Sequence, residues 1–145
     1  MAKVYFVLFL ILLVVTPQIV CAQNRDNTPP EAQNVSISNP QFAKNGQTLT
    51  GSYVYHDADG DTEGSSYFKW FRSGTENSES TYNPIEGANS INYTVTGDDI
   101  NRFLKFAVIP KASSGAQTGL QVFSPPSSQV TNYAYLSINT EVSGF

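Results

Sequence analysis

The chain has few of the residues on which disulfide-bonded, metal-binding and nucleic-acid-binding proteins rely. It contains one cysteine, one histidine and one tryptophan: Cys21, His56 and Trp70. A single imidazole excludes a transition-metal site built from several histidine or cysteine ligands. A formal net charge of −4 leaves no basic patch for phosphates, so we predict no nucleic-acid partner.

The N-terminus has the layout of a secretory signal peptide. Lys3 precedes an apolar run over residues 4–15, and "VCA" offers small or neutral residues before a cleavage site after Ala22. The run is shorter than the roughly 20 residues of a membrane span, which makes an uncleaved anchor the weaker alternative. A lipoprotein signal fits poorly, because bulky Val20 precedes Cys21. We therefore predict a signal peptide over residues 1–22, membrane contact only during export, and a secreted or cell-surface mature chain without cysteine.

The mature chain shows alternation of period two and no sustained helical periodicity. Residues 23–32 contain Pro29-Pro30 and are predicted to be an exposed linker. Seven short runs with turn signals between them then predict an all-β fold, an antiparallel β-sandwich of about seven strands over residues 33–131. Residues 132–145 are a tail or the start of a further module. The alternation places four side chains on the inner face: Tyr53, Leu104, Phe106 and Val108.

An acidic stretch, "HDADGDTEG", separates two predicted strands at residues 56–64. Its carboxylates occupy alternate positions: Asp57, Asp59, Asp61 and Glu63. Calcium prefers six to eight oxygen ligands, and alternating aspartates on a turning backbone can converge on one ion. The spacing departs from the EF-hand loop, and Asp and Gly are also the ordinary residues of turns. The stretch is therefore compatible with a calcium site and with a solvated acidic turn. Calcium is the one cofactor that the sequence suggests.

Two longer runs carry a family likeness. "NGQTLTGSYVYHDADGDTEGSSYFKWFRS" and "IEGANSINYTVTGDDINRFLKFAVIPKASSG" resemble the Ig-like modules of large secreted or surface-attached bacterial proteins. The resemblance covers roughly residues 29 to 130 and implies an Ig-like sandwich that acts as a spacer, a presentation module or an adhesive unit. It also implies that Trp70 packs between the sheets. Asn101 and Phe103 depart from the family's glycine and tyrosine, so a tyrosine corner is not expected.

The sequence favours a non-catalytic role. It has no G-x-S-x-G motif, and His56 has no evident triad partner. Tyr67 and Phe71 alternate with Trp70 and are predicted to lie on an outer face, where exposed aromatic side chains can bind a partner. We predict a structural or adhesive module that contacts neighbouring domains or a surface protein or glycan. The alternative is a carbohydrate-binding accessory module of a secreted hydrolase.

Overall fold

The computed structural model describes residues 27–132, which form two antiparallel β-sheets packed face to face around one core. One sheet has three strands in the order β1-β2-β5, and the other has four in the order β4-β3-β6-β7. The prediction of an all-β sandwich of seven strands is confirmed. The strands are β1 (Glu31–Ile37), β2 (Thr48–His56), β3 (Tyr67–Ser73), β4 (Asn83–Pro84), β5 (Asn92–Thr94), β6 (Phe103–Ile109) and β7 (Val122–Phe123).

Helical structure in this part of the chain is confined to three single turns of 3-10 helix, at Pro40–Phe42, Glu79–Thr81 and Gly97–Asp99. No helix within residues 27–132 is long and apolar enough to cross a membrane. The predicted signal peptide, with Cys21, lies outside the described residues. So does the predicted tail beyond Asn132, and both stay predictions.

The core lies where the central strands of the two sheets face each other. Four side chains of β3 and β6 are fully buried, namely Trp70, Leu104, Phe106 and Val108, and Tyr53 of β2 is partly buried against them. The Trp70 ring centroid lies 5.4 Å from that of Phe106, and the indole N–H donates to the Ser90 carbonyl at 2.9 Å. A Cβ at Gly51 of β2 would lie 2.5 Å from the Phe106 ring. Glycine therefore lets β2 pass directly over this phenylalanine.

The predicted linker is wrong at its C-terminal end. Strand β1 begins at Glu31, and Glu31 and Ala32 pair with His56 and Tyr55 of β2. Pro30 is fully buried. Proline excludes helix but accepts extended backbone, and a proline just before an edge strand costs no ladder hydrogen bond. The chain therefore enters the sandwich two residues before the predicted boundary.

Lys105 of β6 shows a limit of the alternation rule. It points away from the inter-sheet core, as the pattern predicts, yet only 4% of its surface is exposed. The segment around Glu79–Thr81 folds over it, so that its ammonium contacts the Glu79 carboxylate and lies 4.6 Å from the centre of the Tyr82 ring. A buried charge is tolerated when it is paired. Here the Glu79 carboxylate pairs with the Lys105 ammonium, and the Tyr82 ring adds a cation–π contact.

Candidate functional site

The acidic stretch forms the connection between β2 and β3, and its first carboxylate holds the turn together. The Asp57 Oδ1 atom accepts the backbone N–H groups of Asp59 at 2.9 Å and of Asp61 at 3.2 Å. Gly60 adopts a φ of 84°, a left-handed conformation that glycine takes without steric cost. The other oxygen of Asp57, Oδ2, is buried and has no hydrogen-bond partner among the described residues.

The next two aspartates bind the segment that leads into β1. The Asp59 Oδ2 atom accepts the Thr28 backbone N–H at 2.6 Å, and the Asp61 Oδ2 atom accepts the Asn27 side-chain amide at 2.8 Å. We call these two contacts the entry clasp. Ser114, in the connection between β6 and β7, donates to the Asp61 Oδ1 atom at 2.6 Å. The clasp therefore joins the entering chain to two loops at one end of the sandwich.

The clasp hydrogen bonds favour the charged form of Asp61. Donation by Ser114 and then by Asn27 lowers the pKa of this carboxyl below its ordinary value. Because this pKa is lowered in the folded state, the hydrogen-bonded Asp61 carboxylate contributes its full stabilisation of the fold above the ordinary aspartate pKa. This stabilisation is lost as the pH falls through the lowered value. Acidification is thus expected to release Asn27 from the loop.

Glu63 is turned toward a different set of partners. Its Oε1 atom accepts the Tyr53 hydroxyl and, at 2.6 Å, the Ser66 hydroxyl. Burial, followed by the hydrogen bond to Glu63, raises the pKa of Tyr53 above its ordinary value. Glu63 thus anchors the loop to the inner face of β2, away from the entry clasp.

The four carboxylates do not converge in this arrangement. Across residues 27–132, no group of three or more His, Cys, Asp or Glu side chains is placed to hold a metal ion. The free Oδ2 atom of Asp57 is one oxygen ligand, far short of the six that calcium takes at minimum. The carboxylates as folded do not form a calcium site, and an ion could bind only by displacing Asn27 and Ser114 from Asp61. His56 is exposed at the end of β2.

The two aromatic residues assigned to the outer face lie on the same side of β3 but in different surroundings. Tyr67 is 56% exposed, and Lys111 places its ammonium 5.7 Å from the centre of the ring. Phe71, four residues along the strand, is half-buried and makes an edge contact with Phe123 of β7 at 5.0 Å between centroids. Four residues of strand span about 13 Å, so the two rings do not form one platform. A cleft of about 390 Å³ adjoins Tyr67 and is floored by Ala107 and Ile109 of β6.

A buried carboxylate, which was not predicted as a site from the sequence, lies at the opposite end of the sandwich. Asp99 is fully buried, and its Oδ2 atom accepts the Tyr93 hydroxyl at 2.7 Å. The same atom accepts the Thr96 backbone N–H at 2.8 Å and the Thr96 hydroxyl at 3.0 Å, while Oδ1 accepts Arg72 at 3.1 Å. Burial, and then the bond to Asp99, raises the pKa of Tyr93 to about 12. The signal was present as Thr96-x-x-Asp99, the spacing of a capping box.

Comparison with known proteins agrees with this architecture. No curated protein was found to match the chain. The sequence model of the AIR9 A9 domain, an Ig-like domain, matches residues 34–123, which is more than half of the chain. The match begins within β1 and ends at the last residue of β7, so it spans both sheets. Ig-like domains are generally non-catalytic, and the fold supports a structural module. The chain belongs to the AIR9 A9 domain family of Ig-like domains.

Proposed function

We propose that this protein is an exported structural or adhesive Ig-like module whose N-terminal segment is fastened to the sandwich by the entry clasp. The entry clasp is the observation that supports this role. Carboxylates that would otherwise be free on a turn hold Asn27 and Thr28 by a side-chain and a backbone hydrogen bond. Asn27 also accepts the Ala116 backbone N–H, so three segments of the chain meet at this end. These contacts hold the N-terminal segment against the sandwich, as suits a structural module. A bacterial source and a cell-surface location remain part of the proposal.

The entry clasp is tested by the mobility of the Thr28 backbone. In the full chain we expect an amide order parameter for Thr28 of about 0.85, the value of rigid backbone. Asp59→Ala removes the acceptor, so the order parameter is expected to fall below about 0.6. Glu63→Gln is the control, because that side chain lies in the same loop but binds Tyr53 and Ser66. A Thr28 amide that is mobile already in the wild type would contradict the proposed role.

Calcium stabilisation of the acidic loop stays a prediction. Calcium binding to Asp61 would break the hydrogen bond between Asp61 and Asn27. A ligand that binds only the folded state at a hundredfold excess over its Kd stabilises that state by about 2.7 kcal/mol. We predict a higher Tm in millimolar calcium than in EDTA. This difference in Tm is expected to disappear in Asp59→Ala and in Asp61→Ala. Because calcium would take Asp61 from Asn27, the ion should also increase the mobility of residue 27. Equal Tm values in calcium and EDTA would contradict calcium binding and leave the entry clasp as the function of the loop.

A carbohydrate-binding accessory module is the second candidate, supported by the exposure of Tyr67 beside an open cleft. Exposed aromatic rings with adjacent polar groups suit the binding of small ligands in a cleft. We expect binding on a glycan array to be lost in Tyr67→Ala and weakened less by Phe71→Ala, since Phe123 already covers part of that ring. Val54→Ala is a matched control, because Val54 is 51% exposed on the other sheet. No binding to any glycan by the wild type would remove this candidate.

A further inference from the structure

Both arginines in the described part of the chain line one cleft at the end of the sandwich opposite the acidic loop. Arg72 is the penultimate residue of β3, and Arg102 immediately precedes β6, which pairs with β3 so that Ser73 faces Phe103. The cleft measures about 380 Å³. The seven residues of β3 separate this cleft from the acidic loop by about 20 Å. An acidic protein therefore carries a local concentration of guanidinium groups at one place.

The guanidinium of Arg102 has no acceptor of its own. Within residues 27–132 its side chain makes no hydrogen bond and no ion pair, and the residue is exposed. Its Nη1 atom lies over Gly74, where a Cβ would come within 2.7 Å of it. Glycine at this position thus leaves the space in which the guanidinium rests. A guanidinium offers five N–H donors in a planar fork that matches an oxyanion with two oxygens.

Arg72 adds donors to the same cleft from a fixed position. Its Nη1 atom is held by Asp99 at 3.1 Å, so the guanidinium is anchored while its other nitrogens make no hydrogen bond to the described residues. About one third of the side chain remains exposed. The neighbouring Thr81 hydroxyl donates to the Ser78 carbonyl and lies 2.5 Å from the Ser73 hydroxyl, so both hydroxyls are engaged within the fold. The charged donors of the cleft belong to the two arginines.

One carboxylate competes for these donors. Asp98 also lines the cleft, and its Oδ2 atom lies 4.0 Å from the Nη1 atom of Arg72, with 83% of the side chain exposed. At that distance, and with that exposure, the pair is weak and easily displaced. Asp98 therefore lowers the affinity of the cleft for an anion without occupying the Arg102 fork.

We propose that this arginine cleft binds an oxyanion presented by a partner, either a carboxylate or a sulfate ester. Arg102 takes the anion in a bidentate contact, and Arg72 adds a second charge from its anchored position. The acidic loop of a second copy of this chain is one source of carboxylates, and presenting Asp59 or Asp61 would require release of their contacts with Thr28 and Asn27. Contact between opposite ends of two copies would be head-to-tail, which produces open rows of modules. The oxyanion site uses no residue of the entry clasp, and sulfate reports on the site without involving the acidic loop, so failure of one proposal is distinguishable from failure of the other.

The site is tested by titrating the full chain, at low ionic strength, with two probes followed by amide chemical shifts. The probes are the peptide HDADGDTEG and inorganic sulfate, and the peptide control is HNANGNTQG, in which amides replace the carboxylates. We expect shifts around Ser73, Gly74 and Arg102, and a loss of affinity of about tenfold in Arg102→Gln. Asp98→Asn removes the competing carboxylate and is expected to raise the affinity severalfold. Both residues are exposed, so neither variant is expected to impair folding.

The outcomes separate the sources and decide the proposal. Binding of the acidic peptide that exceeds binding of sulfate, and is absent with the amide control, supports a carboxylate partner. Preference for sulfate supports a sulfated one. The proposal is overturned if neither probe shifts these residues, or if Arg102→Gln leaves the shifts unchanged. It is also overturned if Asp98→Asn weakens binding of both anionic probes, because a carboxylate that lines the site of a bound anion must oppose its binding.

Discussion

Replacing Asp99 by alanine is expected to lower the free energy of unfolding by about 3 kcal/mol, near the lower end for breaking a buried ion pair. The carboxylate accepts hydrogen bonds from Tyr93, Thr96 and Arg72 and is fully buried. Alanine would leave the Tyr93 hydroxyl without its acceptor in a partly buried position, which costs further free energy. The lower end applies because about one third of the Arg72 side chain is exposed and can be rehydrated.

The neighbouring Asp98 supplies the control for this substitution. Asp98→Ala removes a carboxylate of the same type that is 83% exposed, so the stability is expected to change by no more than about 0.5 kcal/mol. Denaturant unfolding followed by the fluorescence of Trp70 measures both variants. A spectrophotometric titration adds a local readout, because Asp99→Ala should bring the Tyr93 pKa down from about 12 while burial keeps it above its ordinary value. Equal effects of the two substitutions on stability would show that the buried network does not stabilise the fold.

Replacing Trp70 by alanine is expected to destabilise the domain by about 3–5 kcal/mol, the range for deleting a buried aromatic side chain. Trp70 is fully buried and contacts Phe106 at 5.4 Å and Tyr93 at 5.5 Å between ring centroids. These contacts join β3 to β6 within one sheet and to β5 of the other. Alanine would therefore leave a cavity at the point where the two sheets meet.

The same strand contains the matched control for Trp70. Tyr67→Ala removes an aromatic ring that is 56% exposed, and the stability is expected to change by about 0.5 kcal/mol. Thermal unfolding followed by far-UV circular dichroism compares the two variants, since Trp70→Ala removes the fluorescent reporter. Trp70→Phe should recover part of the loss, because a phenyl ring fills part of the space but cannot donate to the Ser90 carbonyl. A Trp70→Ala variant as stable as Tyr67→Ala would contradict the assigned core position.

The sequence predicted the features that depend on local pattern. In β6, the alternation of Leu104, Phe106 and Val108 places three side chains on one face by backbone geometry alone. All three are fully buried in the structure. The same rule placed Tyr67 outside and Trp70 inside. It placed Lys105 outside the sheet as well, but it carried no information about the segment near Glu79 that covers this lysine.

The interpretation of the acidic stretch required contacts that are distant in the chain. Asp61 meets Asn27 and Ser114, which lie 34 and 53 residues away in the sequence. A spacing pattern within nine residues cannot contain these partners, so both calcium ligation and an acidic turn were compatible with it. The entry clasp exists because β1 pairs with β2 and brings the N-terminal segment beside the loop that follows β2.

Composition and periodicity by themselves determined the all-β class, the number of strands and the inner faces, because side-chain direction in a strand follows from its period of two. Only the tertiary structure decided which polar groups are buried. Asp99 and its exposed neighbour Asp98 have the same chemistry and nearly the same position in the sequence. They differ because the turn at Gly97–Asp99 directs one carboxylate toward Arg72 and Tyr93 and leaves the other in solvent. The capping-box spacing of Thr96 and Asp99 indicates which carboxylate folds back on the turn. Its burial against Arg72 depends on the packing of β3 against β6, which that local spacing does not encode.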